Sequence, residues 1–442
     1  MATSIGLPKI DIIFKGIGAS AIKRGAAALI LKDDTEGVPT KYYKTIEDFG
    51  ADEQKKFTSE NQQLIKDAFE GTPSKLYVFK ITTEGNTEDT LKKIGGIIPR
   101  NCWVGTTDAT IQKSLVTWVK AKNKNDYKRY KVIAHKEVGA DDMHIVNFTN
   151  EKVTWADEKR GEVTGNLIIP YLLGFLAGIS INMSAIAFEL TKFKSVIEPD
   201  EVETKIGAGE FILINDEGIV KVARAVNSLA TTGQDVTEAM CHINTIEKMD
   251  LIYCDVLETW NRSYKGKYPN ILNNQMLLIS AINGYYKELA RNYILDPNFE
   301  NISMVDVEKQ RIENYPKYGQ DIVDGWDDLK VRQMTVGTNV FLKSKIKKEV
   351  EIYFNSFLLE MDSYSRGLTT PVLSDLNEYA SELVLKTATQ KGAWENDKKV
   401  YSLFVVNRDE IATQSKNVFS SFLSDISGRL LNTKEKLSVE GE

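Results

Sequence analysis

The chain has 442 residues, 42% of them apolar and 27% charged, with a formal net charge of −6. That length allows two or three packed domains, and the composition excludes disordered and fibrous classes. The acidic balance argues against a duplex-DNA binder, which carries a basic face, so no direct nucleic-acid contact is expected.

The opening residues hold one strand signal, residues 10–14 (IDIIF), between Pro8 and Gly16. An apolar strand at a terminus must pair with something, either its own sheet or a neighbour's. Strand and helix signals then alternate. Residues 26–31 (AAALIL) predict a buried strand, and residues 59–70 a helix with Ser59 as N-cap and Gln62 three residues on. Residues 75–82 predict a strand. Residues 87–94 predict a helix capped by Thr87 and stopped by Gly95-Gly96. Residues 101–105 read as a strand, and 108–122 as an amphipathic helix with Ile111, Leu115, Trp118 and Val119 on one face. Residues 130–135 and 144–148 complete the set. Strands separated by helices of this length predict βαβ units and a mainly parallel sheet. The apolar stretch 167–181 (LIIPYLLGFLAGISI) contains Pro170 and two glycines and is short for a membrane span, so it predicts a buried helix covering that sheet. No membrane insertion is expected.

The pattern changes after about residue 200. Residues 209–214 and 218–224 flank Asn215-Asp216-Glu217 as a hairpin. Helical stretches follow at 243–260 and 271–293, then strands at 339–346 and 350–359 around a Lys-rich turn. In the last of these, Glu351, Tyr353 and Asn355 alternate with Ile352, Phe354 and Ser356, the period of a half-buried strand. The fold class read from these signals is α/β: a βαβ-type core domain plus a C-terminal α+β assembly domain with extended terminal arms. The divisions are an arm at 1–20, a core at 21–200, an assembly domain at 201–360 and an additional extension at 361–442. Within the extension, 374–387 and 413–431 read as helices and 401–406 as a strand.

Motifs for chemistry are absent or broken. Gly16-Ile17-Gly18 lacks the third glycine of a phosphate loop, and Gly207-Ala208-Gly209 precedes a strand instead of following one. The three histidines are His135, His144 and His242. His135 and His144 bracket a loop holding Asp141 and Asp142, but no metal spacing occurs, and lone histidines are ordinarily solvated or at strand edges. Cys241 and His242 are adjacent, and neighbours on a helix diverge by about 100°, which rules out a nucleophile–base pair. With Cys102 and Cys254 they leave an odd count with no disulfide framework, as suits a reducing cytoplasm. The acidic clusters Asp33-Asp34, Asp141-Asp142, and Asp324 with Asp327-Asp328 read as solvated loops. The basic run 343–348 (KSKIKK) reads as a charged strand edge or subunit contact. No catalytic residue, cofactor or metal site is expected, which favours a scaffold over an enzyme.

Five collinear segments carry a resemblance: IGLPKIDIIFKG, HIVNFTNEKV, GEFILINDEGIVKVARAVNSL, MDLIYCDVLETWNRSYKGKYPNILNNQMLLISAINGYYKELA and GTNVFLKSKIK. In order over about residues 4–356, they resemble the tail sheath protein of contractile phages, phage-tail-like bacteriocins and defective prophages, nearest to the short Gram-positive sheaths. The resemblance implies stacked hexameric rings around a tube, with each subunit lending arms to sheets on its neighbours and no nucleotide required. Contraction of the rings would drive the tube through a target envelope. It implies as partners further copies of the chain, a tail tube protein, and baseplate and tail terminator proteins. It implies a place in a virion tail or tail-like particle assembled in the bacterial host cytoplasm. The arm strands would be Ile10, Asp11, Ile12, Ile13 and Phe14, and Glu351, Ile352, Tyr353 and Phe354. The receiving sheet would include Phe211, Ile212, Leu213, Val220, Val222, Val340 and Leu342. Short sheaths of this kind end soon after the arm strand, whereas this chain continues past Met361, which makes residues 401–406 a rival arm strand. The other readings are an α/β nucleotide-binding enzyme, suggested by the βαβ pattern, and a tail tube or baseplate component.

Overall fold

The computed structural model describes residues 25–233 and 236–347, and the statements below concern these. Alternation of apolar strands with amphipathic helices produces β1 (Ala26–Lys32), α1 (Ser59–Glu70), β2 (Lys75–Ile81), α2 (Thr87–Ile97), β3 (Trp103–Thr106), α3 (Ala109–Asp126), β4 (Lys131–His135) and β5 (Ile145–Phe148). The five strands pair in parallel in the order β2-β1-β3-β4-β5. Successive side chains of a strand point to opposite faces, and both faces are covered here. Leu29, Leu31, Leu76, Val78, Trp103, Ile133 and Val146 enter one core. Ala28, Ile30, Tyr77, Val104 and Val132 enter a second core with Leu91, Ile94, Ile111, Leu115 and Val119 from α2 and α3. This explains why β1 has no polar alternation: it is central and buried on both sides.

Two helix starts differ from the sequence reading by one residue. Thr58, not Ser59, caps α1, its side chain accepting from Asn61 N. Asn86, not Thr87, caps α2, accepting from Glu88 N and Asp89 N. The residue with extended backbone just outside the first turn is the one whose oxygen can turn back. Gly95 and Gly96 do not stop α2, which runs on to Ile97. Gly95 instead makes room for Trp118, whose ring lies 3.2 Å from where its Cβ would be.

β6 (Lys152–Trp155), β7 (Glu162–Thr164) and β8 (Phe193–Val196) form an antiparallel sheet in the order β7-β6-β8. Between β7 and β8 lies α4 (Ile169–Gly178), buried along nearly its whole length and packed over the first core. Among the described residues no helix is long and apolar enough to cross a membrane. β9 (Glu210–Phe211) extends the parallel sheet beside β5, and β10 (Leu213–Asp216) with β11 (Ile219–Val222) forms the hairpin read from the sequence. The first core runs across residue 200 without a break: Phe211, Leu213, Val220, Val222 and Ile243 all belong to it.

The remaining described chain is mainly helical: α5 (Ile243–Thr259), α6 (Leu272–Arg291), α7 (Val307–Tyr318), α8 (Gln320–Asp324) and α9 (Asp328–Gln333). A π-helical turn, Trp260–Tyr264, follows α5. α6 contributes Leu278, Ile282, Tyr285 and Leu289 to a third core that also takes Ile252 from α5. Beside it, β12 (Ile302–Val305) and β13 (Leu342–Lys345) pair antiparallel. Helix α5 is thus the strut between cores, with Ile243 in the first and Ile252 in the third.

Candidate functional site

The strand order β2-β1-β3-β4-β5 is that of a doubly wound sheet, in which ligands gather at the carboxyl ends of β1 and β3. The carboxylates at that crevice are occupied by their own loops. Asp33 is buried, against the expectation of a solvated pair, and accepts from Thr35 N (2.8 Å), Thr58 N (3.0 Å) and Asn61 Nδ2 (2.7 Å). Burial pushes its carboxyl up, but these bonds hold it below the ordinary range. Asp34 accepts from Thr83 N and Oγ1, and Asp108 caps α3 through Thr110 N and Ile111 N. These side chains close turns and cap helices.

His135 and His144 do not share a site. In parallel strands they stand at opposite ends, since His135 ends β4 and His144 precedes β5, and Lys131–His135 runs alongside Ile145–Phe148. His135 Nε2 lies 3.0 Å from Asn150 O. His144 is buried, contrary to a solvated reading, because Asp142 and Asp250 flank it.

The residues read as a receiving sheet are spread over three separate sheets. Phe211 sits in β9, and Ile212, Leu213, Val220 and Val222 are wholly buried in their own body. Both edges of the β10–β11 hairpin are engaged within the chain. Leu213 N donates to Asn150 Oδ1 (2.7 Å) and Leu213 O accepts from Asn150 Nδ2 (2.8 Å). On the other side, Val222 N donates to Phe188 O and Leu190 N to Val220 O. Val340 and Leu342 instead pack, half-buried, against the third core. The arm residues Ile10 to Phe14 and Glu351 to Phe354 lie outside the described residues.

The β12–β13 sheet is different. Asp306 N donates to Phe341 O, and the pairs Val305–Leu342, Met304–Lys343, Ser303–Ser344 and Ile302–Lys345 continue the same register. Bonded and non-bonded pairs alternate in an antiparallel ladder. The main-chain groups of Ser303 and Val305 therefore point away from β13, and those of Leu342 and Ser344 point away from β12. On the β12 side, the amide of Asn283 on α6 stands in for a strand: Ser303 N donates to its Oδ1 (2.6 Å) and its Nδ2 donates to Ser303 O (3.3 Å). On the β13 side, among the described residues, no strand is paired. Tyr286 Oη, 2.9 Å from Ser344 Oγ, sets that face toward α6, which leaves Lys343 and Lys345 on the exposed face. Sequence reading named Val340 and Leu342 but missed Asn283, whose role depends on where α6 lies.

Among the described residues the outer edge of β13 is thus left unpaired, while the crevice carboxylates are engaged within the chain. Comparison with known proteins shows what kind of protein the chain resembles. Residues 235–333 match the phage tail sheath C-terminal domain. The chain is 28% identical over 357 residues to the tail sheath protein of Clostridium phage phiCD119, a match covering 77% of this chain and 96% of that one. Its fold is similar to the sheath tail protein of Listeria innocua (TM-score 0.55, 14% identity, 74% of this chain and 96% of that chain). It is similar also to the sheath tail protein of Desulfitobacterium hafniense (0.54, 14%, 64% and 90%). The helical sheath of the anti-feeding prophage in its contracted state shares the fold as well (0.54, 12%, 79% and 96%). The chain resembles tail sheath proteins over most of its length, and residues 235–333 match their C-terminal domain; proteins of this kind are structural, not enzymatic.

Proposed function

We propose that this chain polymerises as stacked hexameric rings around a tail tube, and that contraction of the polymer drives the tube through a target cell envelope. Its partners are then other copies of itself, the tube protein, and the baseplate and terminator proteins at the tail ends. Its place is a virion tail or tail-like particle, assembled in the host cytoplasm. The observation that carries this reading is the open edge of β13. A free edge supplies main-chain donors and acceptors that pair with an incoming strand with little demand on its side chains. An identical contact repeated head to tail, without closing on itself, builds a helical assembly. The incoming strand is an arm of a neighbour, residues 10–14 or 351–354. Residues 349–354 (EVEIYF) suit the edge, since Glu349 and Glu351 alternate with Val350 and Ile352 as Lys343 and Lys345 alternate with Leu342 and Ser344. In this reading the body near 21–200 carries the rings and residues 201–360 carry assembly, with 361–442 as an addition.

Negative-stain microscopy of the purified protein is expected to show rings or tubes. The substitution Ser344→Pro removes one outward N–H at an edge, where proline is tolerated. It is expected to leave the subunit folded by circular dichroism and to abolish tubes. Tubes from Ser344→Pro would overturn the edge assignment, and a strictly monomeric wild type at high concentration would overturn polymerisation itself.

A further inference from the structure

The charged cluster beneath α5 has no part in edge pairing, yet its construction is specific. Along α5, Ile243, Ile246, Glu247 and Asp250 recur at helical spacing, and all four are buried. Two carboxylates on a buried stripe are unusual unless they are paired. Their partners come from the parallel sheet. Lys131, the first residue of β4, places Nζ 3.0 Å from Glu247 Oε1 and 3.1 Å from Asp250 Oδ2, and it also donates to Asn101 Oδ1. Its side chain is only 2% exposed. Arg129 Nε is 3.8 Å from Asp250 and its guanidinium lies over Tyr253. His144, before β5, sets Nε2 3.2 Å from Asp250 and Nδ1 3.7 Å from Asp142 Oδ1.

The charges decide what this cluster does. Lys131 and Arg129 bring two positive charges, and Lys120 acts on Asp142 from α3; Glu247, Asp250 and Asp142 bring three negative ones. Both nitrogens of the His144 ring face carboxylates, Asp250 and Asp142, and a neutral ring has a proton for only one of them. The imidazolium has a proton for each. We propose that these six groups form a pH-sensitive clasp fastening α5, and with it the sheath C-terminal domain at 235–333, to the parallel sheet, closed while His144 holds its proton and loosened when the proton leaves.

The electrostatics run in the same direction. Burial pulls the His144 imidazole down, but Asp142 and Asp250 raise it above the ordinary histidine value. A group raised by folding stabilises fully below its unfolded value, about 6.5 for histidine, and that contribution disappears as pH rises through the folded value. Asp142 and Asp250 act in the opposite sense. Burial pushes both up, yet His144 helps to hold Asp142 low, and Lys131 with His144 holds Asp250 low. Their contribution is present above the ordinary aspartate range and is lost on acidification through the folded values. The clasp is therefore tightest in mildly acidic solution and weakens toward alkaline pH.

The test uses the full-length protein kept unassembled by Ser344→Pro, so its result does not depend on polymerisation. Histidine-selective NMR, with His144→Gln to assign the resonance, is expected to show His144 losing its proton at higher pH than His135, whose imidazole burial pulls down. Hydrogen exchange at residues 246–250, corrected for intrinsic chemistry, is expected to quicken by about tenfold between roughly pH 6 and pH 9, the change that one unit of pKa difference supplies. His144→Gln should show the faster exchange at both. If His144→Gln does not fold, the wild-type exchange profile decides alone. Titration of His144 at or below about 6.5, or equal corrected exchange at both pH values, overturns the proposal.

Discussion

Asp67 and Arg160 show how one buried charge is tolerated. The Asp67 side chain is fully buried in α1, and Arg160 reaches it through both terminal nitrogens, at 2.8 and 2.6 Å. The same guanidinium lies 3.3 Å from the ring centre of Trp155. Removing one partner of such a pair strands the other, at about 3–5 kcal/mol. Arg160→Ala is expected to lose that much in urea unfolding, and Arg160→Lys to recover only part, because an ammonium cannot make the forked contact. The exposed pair Lys55–Asp52, by contrast, is expected to leave the urea midpoint unchanged when either residue is replaced. Asn283 is a subtler case. Asn283→Ala leaves the Ser303 N–H and C=O without partners under α6, and a loss of about 1–3 kcal/mol is expected. Thr58→Ala should cost about 1 kcal/mol, as loss of a cap does, and Ser59→Ala much less, since Thr58 is the residue that accepts from Asn61 N.

At the scale of elements, the glycines of α4 mark a close backbone approach to α1. A Cβ on Gly174 would sit 1.8 Å from Ala68 O, and one on Gly178 would sit 2.1 Å from Gly71 O. Neither backbone can withdraw, because α4 is wedged over the first core. Gly174→Ala is expected to destabilise by at least about 3 kcal/mol, at the upper end of overpacking, or to prevent folding. Gly96→Ala is the control. Gly96 lies within α2 with nothing near its Cβ position, so the change should be neutral or stabilise by about 0.4–1 kcal/mol through the unfolded chain. Thermal unfolding of the two variants checks both. The glycines in the apolar stretch around α4 were visible in the sequence, but their purpose was not: a small residue shows its value only beside the backbone it admits.

For the whole molecule, the parallel sheet and the β12–β13 sheet play different parts. The parallel sheet is buried on both faces, and the hairpin edges beside it are engaged by Asn150 and by residues 187–190. The β12–β13 sheet has one edge filled by Asn283 and, among the described residues, one left open. Replacing both Lys343 and Lys345 by Glu is expected to weaken tube formation, and adding Glu349→Lys with Glu351→Lys is expected to restore it. Sedimentation of the four combinations checks this, and rescue would identify 349–354 as the pairing arm. Failure of rescue with assembly otherwise intact would point to residues 10–14.

The sequence by itself determined the order and type of elements in the parallel sheet from β1 to β5, though not the antiparallel strands β6 to β8, because apolar period and length are local properties that burial on one or both faces imposes. It also carried the resemblance to sheath proteins, since collinear segments persist where a fold is kept. Tertiary structure alone decided which carboxylates are buried, which polar side chain imitates a strand, and where the open edge lies. Glu247 and Asp250 look like surface residues until α5 is laid on β4, and Asn283 looks like any helical asparagine until Ser303 meets it. Each depends on atoms distant in sequence, and no local pattern encodes the identity of a partner that arrives only through folding.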